Sequence, residues 1–242
     1  MNRVVFKRVV IVYGMACLSA FVSGQSGEKN LSEPRVVTPG ACGAAPSDAL
    51  VLFDGKDFAQ WESTNGGEVK WKLEEHAMTV VDKTGSIQTR QSFGDCQLHI
   101  EWRIPEKVVG EGQNRGNSGI FFQKQYEIQI LDSYDNLNKT YVDGRAGSIY
   151  TQSPPLVNAC RKAGEWQTYD VVYMAPRFNA DGKVEIPARI TVFHNGVLIQ
   201  NNFVIEGTTY SKEGYKPHHK APLELQDHGN PVSFRNIWIR EL

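Results

Sequence analysis

Residues 114–134, NRGNSGIFFQKQYEIQILDSY, contain the alternation that decides the fold class. Within this stretch, Tyr126–Ile130 alternates apolar residues with Glu127 and Gln129. Because neighbouring side chains of a β-strand point to opposite faces, the pattern predicts a strand with one apolar face and one face that carries an acid and an amide. The function then depends on whether Glu127 and Gln129 face bulk water or the floor of a binding site.

Strand-like segments separated by short turns continue from residue 50 to the end of the chain. Asn195-Gly196, between ITVFH and VLIQ, is the strongest hairpin signal among them. No segment keeps the period of about 3.6 residues that a long helix requires. Many short strands with few helices predict an all-β sandwich or barrel, in one domain at residues 49–242.

The first 24 residues have the pattern of a signal peptide, with basic residues ahead of the apolar run Val9–Val22. This run is too short to span a bilayer comfortably, and small residues follow it. A lipid anchor at Cys17 is the less favoured alternative, because Gly14 stands where a lipobox usually has Leu or Val. Residues 25–48 are polar and small, which is typical of a linker or irregular arm. The mature protein is expected to be periplasmic or extracellular, with no stable membrane span.

The charged residues are balanced, with 26 basic and 27 acidic side chains. This balance gives no support for a nucleic-acid partner or an anionic membrane surface. Cleavage of the signal peptide would leave Cys42, Cys96 and Cys160, which allow at most one disulfide in an undetermined pairing. Since no cysteine has metal-site spacing, buried thiols or one structural bridge are expected.

Three predicted strands combine an apolar face with a face of acids, amides, Arg and His. The polar faces carry His99, Glu101 and Arg103 in residues 96–104, Glu127 and Gln129 in Tyr126–Ile130, and Glu224, Gln226 and His228 in residues 222–228. A solvated sheet face explains any one of these strands, since half-polar antiparallel strands are common. A saccharide groove is the alternative, because amide side chains both donate and accept hydrogen bonds, as sugar hydroxyls require.

The glycine-rich residues 110–121, GEGQNRGNSGIF, precede the strand that carries Glu127. Glycines let a backbone turn tightly or lie close to a ligand, and Arg115 and Asn117 would offer donors there. A mobile loop is the alternative interpretation.

An ordinary glycosidase needs two carboxyl groups that flank the glycosidic bond. The strand that carries Glu127 has Gln129 and Leu131 at the next two positions of the same face. Asp132 has the opposite parity unless the strand bulges. A double displacement that uses this strand alone is therefore not expected.

Seven segments, in order along the chain, resemble the 3-keto-disaccharide hydrolase family, also described as 3-keto-glucoside 1,2-lyase and 3-keto-2-hydroxy-glucal hydratase. They are LFDGKDFAQW, FGDCQLHIEWRI, GNSGIFFQKQYEIQILDSY, AGSIY, AGEWQTYDVVY, HNGV and PLELQDHGNPVSFRNIWIREL. The resemblance covers Leu50 to Leu242 and implies a concanavalin A-like jelly-roll sandwich. It also implies a saccharide substrate and a partner sugar 3-oxidoreductase that makes the ketone.

The implied chemistry differs from ordinary glycoside hydrolysis. A ketone at C3 acidifies the C2 proton, and loss of that proton can expel the C1 substituent without an oxocarbenium ion. Such a site needs one general base, an electrophile for the enolate oxygen and an acid for the leaving group. Water would then add to the glucal, and direct hydrolysis is the alternative description of the same family.

Candidate roles follow from this chemistry. Glu127 or His228 would transfer the proton, because a partly buried carboxyl or imidazole has a pKa near neutrality. Arg115 or Arg103 would hold the ketone or stabilise the enolate. The substrate-binding candidates are Gln129, Gln226, Asn117 and Glu101 for hydroxyls, Tyr150 or Trp71 for stacking on the ring, and Asp132 for orienting His228 or binding a metal.

A divalent metal would also stabilise an enolate, although no cofactor is certain. The candidate ligands Glu127, Asp132, His99 and His228 form no tight ligand motif. The rival function is a non-catalytic, lectin-like module, since jelly rolls often bind sugars without chemistry. Such a module would more often line its groove with exposed aromatics, so the polar, titratable face favours the enzyme.

Overall fold

Residues 33–136, 141–209 and 215–242 are described in a computed structural model of the protein. The predicted signal peptide and Cys17 lie outside the described residues. Among the residues that are described, no helix is long and apolar enough to cross a membrane.

The described strands form two main sheets and one separate hairpin, with short 3-10 turns at Gly112–Asn114 and Val142–Gly144. The strands are β1 (Leu50–Phe53), β2 (Trp61–Ser63), β3 (Lys72–Glu74), β4 (Ala77–Thr79), β5 (Ile87–Phe93), β6 (Cys96–Arg103), β7 (Ser118–Phe122), β8 (Tyr126–Ile130), β9 (Gln167–Met174), β10 (Arg177–Phe178), β11 (Val184–Ile186), β12 (Arg189–His194), β13 (Val197–Val204), β14 (Ala221–Leu225) and β15 (Ser233–Glu241). One sheet has eight strands in the order β13-β12-β9-β6-β15-β4-β3, with β1 also paired to β15. The other has five strands in the order β2-β5-β14-β7-β8, and β10 pairs with β11.

The apolar faces of the two sheets share one hydrophobic core. The predicted alternation is confirmed in β8, because Ile128 and Ile130 are buried in this core. In β6, Leu98, Ile100 and Trp102 are fully buried there. Each such side chain contributes on the order of 2 kcal/mol by leaving water. The all-β jelly-roll sandwich is thus confirmed, with a polar outer face on each sheet.

Two hairpin turns differ in how well the sequence predicts them. Asn195 and Gly196 adopt φ values of 52° and 79° between β12 and β13, which confirms the predicted hairpin. Gln123 and Lys124 adopt φ values of 52° and 60° between β7 and β8, although neither residue type favours this region. The Gln123 side chain donates a hydrogen bond to the His219 carbonyl at 3.2 Å, so tertiary contact holds the second turn in place.

Residues Val37–Leu242 form one compact unit. Part of the predicted arm packs on β15, since the Gly43 carbonyl accepts hydrogen bonds from Asn236 Nδ2 at 2.8 Å and Trp238 Nε1 at 3.0 Å. The Asp48 carboxylate also pairs with Arg240 Nε at 2.7 Å.

Cys42, Cys96 and Cys160 are free thiols. Burial raises the pKa of the Cys160 thiol to about 12 and raises that of the Cys96 thiol as well. These two side chains therefore stay protonated and behave as small apolar groups.

Candidate functional site

The hairpin of β7 and β8 places Glu127 and Gln129 on the outer face of the five-stranded sheet. Ile128 between them is buried in the core, so alternation directs its two neighbours away from the core. Nevertheless, Glu127 is 2 % exposed and Gln129 is 1 % exposed. These side chains are polar groups on an outer face that the rest of the chain covers, not a solvated surface.

Strand pairing aligns two rows of residues across this outer face. The first row contains Glu127, Phe121, Glu224, Gln88 and Glu62 in cross-strand register. In the second row, Gln129 is paired with Gly119, and the Gln226 backbone nitrogen donates to the Gly119 carbonyl at 3.0 Å. Glu224 thus supplies the second carboxylate that the strand of Glu127 lacks.

The Glu127 carboxyl group is tightly enclosed. Its Oε1 lies over Gly119, where a Cβ atom would overlap both this oxygen and the Phe121 ring. Its Oε2 is buried and has no hydrogen-bond partner among the described residues. The Glu127 backbone nitrogen donates to Thr209 Oγ1 at 3.0 Å, which fixes the strand edge. A buried carboxyl oxygen without a partner is costly and is uncommon in native structures.

Burial raises the pKa of Glu127 to about 8, and the negative charge of Glu224 acts in the same direction. Burial also raises the pKa of Glu224, while the charge of Lys124 and a hydrogen bond from Ser86 act against that rise. A carboxyl group with a pKa near the working pH is suited to accept and return a proton. Perturbed titrations of this kind mark candidate catalytic sites.

Amide side chains form a network beside Glu127. Gln129 Nε2 donates to Gln113 Oε1 at 2.9 Å and to the Gly144 carbonyl at 3.3 Å. Asn117 Nδ2 donates to the Gln113 carbonyl at 2.7 Å. Gln129 Oε1 is buried and has no hydrogen-bond partner in the described parts of the chain. The sequence analysis missed Gln113, although it lies within the glycine-rich stretch that drew attention to Arg115 and Asn117.

Tyr150 borders the edge strand β8. Its backbone nitrogen donates to the Glu127 carbonyl at 3.3 Å, and its hydroxyl lies 2.9 Å from that of Tyr141. This predicted stacking residue is therefore brought close to Glu127, together with Tyr141, which had no predicted role.

His228 lies beyond the end of β14, two residues after Gln226, and its side chain is exposed. Its carbonyl accepts a hydrogen bond from Asn230 Nδ2 at 3.3 Å. The imidazole is consequently placed near the rim of the outer face and is more exposed than Glu127.

Arg115 and Asp132 contact each other. Arg115 Nε lies 2.6 Å from Asp132 Oδ2, and a second guanidinium nitrogen donates to the Tyr134 carbonyl at 3.0 Å. A cavity of about 230 Å³ is lined by Arg115 and Asp132, together with Ile104 and Asn230. The guanidinium holds the chain that follows β8, and Asp132 pairs with Arg115 rather than with His228.

Glu101 and Arg103 belong to β6 in the eight-stranded sheet, so the structure does not bring them together with Glu127. Glu101 accepts hydrogen bonds from Arg235 Nε at 2.6 Å and Asn236 Nδ2 at 2.8 Å. The Arg103 guanidinium lies 4.6 Å from the ring centre of Trp166. These contacts occupy the outer face of the other sheet.

Trp71 and His99 are also remote from the outer face of the five-stranded sheet. Trp71 is buried, stacks on Phe234 with ring centres 5.8 Å apart, and belongs to the core. His99 is on β6, and its Nδ1 lies 2.6 Å from Asp170 Oδ1. In the described residues, no group of three or more His, Cys, Asp or Glu side chains is placed to hold a metal ion.

Proteins similar to this chain include a curated sequence and two solved structures. A curated 3-keto-disaccharide hydrolase from Bacteroides thetaiotaomicron is 22% identical over 81% of this chain and 80% of its own length. A solved structure from Parabacteroides distasonis, proposed to be a glycosyl hydrolase, is 50% identical with a TM-score of 0.83, and the match covers 94% of this chain and 100% of that one. A second solved structure from the same organism shares the fold at 21% identity with a TM-score of 0.59, over 81% of this chain and 94% of that one.

The family model of the 3-keto-alpha-glucoside-1,2-lyase-like domain matches residues 48–240. This range includes both strands that carry the two glutamates of the outer face and nearly all of the sandwich. The chain belongs to the 3-keto-alpha-glucoside-1,2-lyase-like domain family.

Proposed function

We propose that this protein is an exported enzyme that cleaves the glycosidic bond of 3-keto-glycosides. It removes the C2 proton, expels the C1 substituent and adds water to the resulting glucal. The single observation that carries this proposal is Glu127, a buried carboxyl group whose Oε2 has no hydrogen-bond partner among the described residues and whose pKa is raised to about 8. The name of the Bacteroides relative supports the substrate class.

Glu127 suits proton abstraction beside a ketone. Once ionised, a carboxylate with a raised pKa is a stronger base than one in water, and little solvent must be displaced when it takes the proton. The proton at C2 is acidified by the C3 ketone, so one base is enough to begin the elimination. This chemistry does not require attack on the anomeric carbon by a carboxylate.

The neighbouring amides suit the sugar hydroxyls. Gln129 Oε1 and Glu127 Oε2 are two buried acceptors without partners in the described residues, in adjacent rows of one face. A sugar that presents hydroxyl donors would satisfy the amide oxygen while Glu127 faces C2. Gln226 and the side-chain oxygen of Asn117 are the proposed partners of further sugar hydroxyls, since the Asn117 side-chain nitrogen already donates to Gln113. His228 at the rim remains the second candidate for proton transfer.

Conventional hydrolysis of an unoxidised glycoside is the second candidate function. The observation in its favour is Glu224, which places another carboxyl group on the face of Glu127. Two carboxyl groups on one face are the minimum that such hydrolysis needs.

The test is to incubate the purified mature protein with a 3-keto-glucoside that carries a chromogenic aglycone, beside the unoxidised glucoside, with and without a chelator. We expect release from the keto sugar alone, and loss of release with the chelator would add a metal to the account. Release from the plain glucoside would instead support conventional hydrolysis. Sugar binding without release from either compound would support a lectin-like module. Coupling to a sugar 3-oxidoreductase belongs to the proposal, because some reaction must make the ketone.

A further inference from the structure

We propose that Glu224 is the acid that protonates the departing C1 oxygen while Glu127 takes the C2 proton, so that the two glutamates form one acid–base pair. This inference rests on the proposed function and assigns the second proton transfer of the same site. It gives a role to a residue that the sequence pattern placed on a polar face without assigning it a function.

The strand register carries the inference. Phe121 is paired with Glu127 on one side and with Glu224 on the other, so both glutamates project from the same face of three adjacent strands. Neighbouring strands are about 4.8 Å apart, which separates the two Cα atoms by about 10 Å. Carboxyl groups that act on opposite sides of one glycosidic bond are about 5 to 9.5 Å apart in glycosidases. The register therefore places the two glutamates on either side of Phe121, at a spacing from which their carboxyl groups can reach the separation found in such pairs.

The residues around the pair keep each carboxyl group in place. The Phe121 ring leans over Gly119, which belongs to the neighbouring row, and Glu127 Oε1 lies over the same glycine. Glu224 interacts with Ser86 by a hydrogen bond and with the charge of Lys124. The two carboxyl groups thus have different surroundings, and such a difference allows one to act as base and the other as acid.

Burial raises the pKa of both groups, and the charge of Glu224 raises that of Glu127 further. A pair of this kind favours a single negative charge near neutral pH, because two nearby carboxylates repel each other. Because the charge of Glu224 raises the pKa of Glu127, the proton of the singly charged pair lies mainly on Glu127. The elimination proceeds from the form of the same charge in which that proton has moved to Glu224.

The proton transfers balance over the whole cycle. The Glu127 carboxylate takes the C2 proton, and the C2–H electrons form the enolate of the C3 ketone. The enolate then restores the ketone and forms the C1=C2 double bond, the C1–O bond breaks, and the leaving oxygen takes the proton of Glu224. In the hydration, the Glu224 carboxylate takes a proton from water as its oxygen adds to C1, and Glu127 returns a proton to C2. Both residues regain their starting forms.

The experiment compares Glu224→Gln with the native enzyme on two 3-keto-glucosides, one with 4-nitrophenol as leaving group and one with a simple alcohol. Only the alcohol needs strong acid assistance, so we expect its kcat/KM to fall by roughly 10²- to 10⁴-fold while that of the 4-nitrophenyl compound falls by less than about tenfold. Removing the charge of Glu224 should also move the rising limb of the pH profile to lower pH. Glu62→Gln is the matched control, because Glu62 lies in the same row but pairs with Arg90 at 3.0 Å.

The outcomes distinguish a failure of the proposed function from a failure of the role assigned to Glu224. A native enzyme that cleaves neither compound would overturn the proposed function itself. A native enzyme that cleaves both, with Glu224→Gln losing the same factor on both, would overturn the role of Glu224 alone. Thermal unfolding of each variant shows whether an equal loss comes from misfolding, and Glu224→Asp, which keeps the acid, should regain part of the activity on the alcohol if the inference is correct.

Discussion

At the scale of single residues, Glu127 determines the pH behaviour of the proposed reaction. A base must be ionised to act, and the pKa of this carboxyl group is raised to about 8. With the 4-nitrophenyl 3-keto-glucoside, kcat/KM should therefore rise as the pH rises through about 8. Glu127→Gln keeps the size of the side chain and should lower kcat/KM by roughly 10²- to 10⁴-fold. A steady-state pH profile checks both; a profile that falls through this range would make Glu127 an acid instead.

The same carboxyl group should affect stability. In the native state it holds its proton up to about pH 8, whereas its ordinary pKa is 4.5. The native state thus binds more protons than the unfolded state between these values, so this group lowers the free energy of unfolding as the pH rises from 4.5 to 8. Glu127→Gln should exceed the native protein in stability at pH 9 by up to about 5 kcal/mol and differ little at pH 4. Urea unfolding at both pH values measures this, and an equal difference at both would refute it.

At the scale of the elements, the β7–β8 hairpin and β14 bring the acids and amides together. The sequence alternation predicts which face each side chain takes, because parity within a strand is a local property. It does not predict that β14 pairs with β7 while β6 lies in the other sheet. The sequence consequently led to a sugar-binding prediction for Glu101 and to no role for Glu224, although Glu224, unlike Glu101, lies in the row of Glu127.

Gly119 is the position where close packing within this hairpin can be tested. A methyl group there would overlap Glu127 Oε1 and the Phe121 ring. Gly119→Ala should displace the carboxyl group and reduce kcat by roughly 10²-fold, since misplacement by about 1 Å has such an effect. Gly207→Ala is the control, because a Cβ atom at Gly207 meets nothing within 4 Å. Kinetics with near-native activity for Gly119→Ala would show that the carboxyl group moves freely.

At the scale of the whole molecule, the sandwich core contains a histidine whose contribution to stability changes with pH in the opposite direction to that of Glu127. His194 is buried between Trp102 and Tyr169, and its Nε2 lies 3.1 Å from Gln167 Oε1. Burial, together with the charge of Arg161, lowers the pKa of His194 to about 3. The stability from this neutral imidazole is present above pH 6.5 and is lost as the pH falls from 6.5 toward 3.

His194→Gln should therefore lose less stability than the native protein when the pH falls from 7 to 4. The comparison uses the Tm of the native protein and of His194→Gln at both pH values. The same measurement in a Glu127→Gln background removes the opposing pH dependence of stability that Glu127 contributes. If both proteins lose the same number of degrees, the imidazole is not buried in its neutral form.

The overall architecture was largely predictable from the sequence, and the composition of the site was less so. Period-two alternation and turn residues predict the sandwich, and they place Glu127, Gln129 and Gln226 on polar faces. The partners of Arg115, Asp132 and the β6 residues depend on tertiary packing, which no local pattern contains. The turn at Gln123 and Lys124 was missed for the same reason, because contacts elsewhere hold its positive φ values.

The most direct test of the central claim is cleavage of a 3-keto-glucoside in D₂O, with the isotope at C2 of the product read by NMR and mass spectrometry. A control without enzyme measures spontaneous exchange at C2. Proton abstraction followed by elimination and hydration predicts deuterium at C2 of the product wherever the proton on Glu127 exchanges with solvent before hydration, and it predicts a primary isotope effect on kcat/KM when C2 of the substrate carries deuterium. A product that keeps its C2 proton, with no such isotope effect, would show direct hydrolysis and would contradict the role proposed for Glu127.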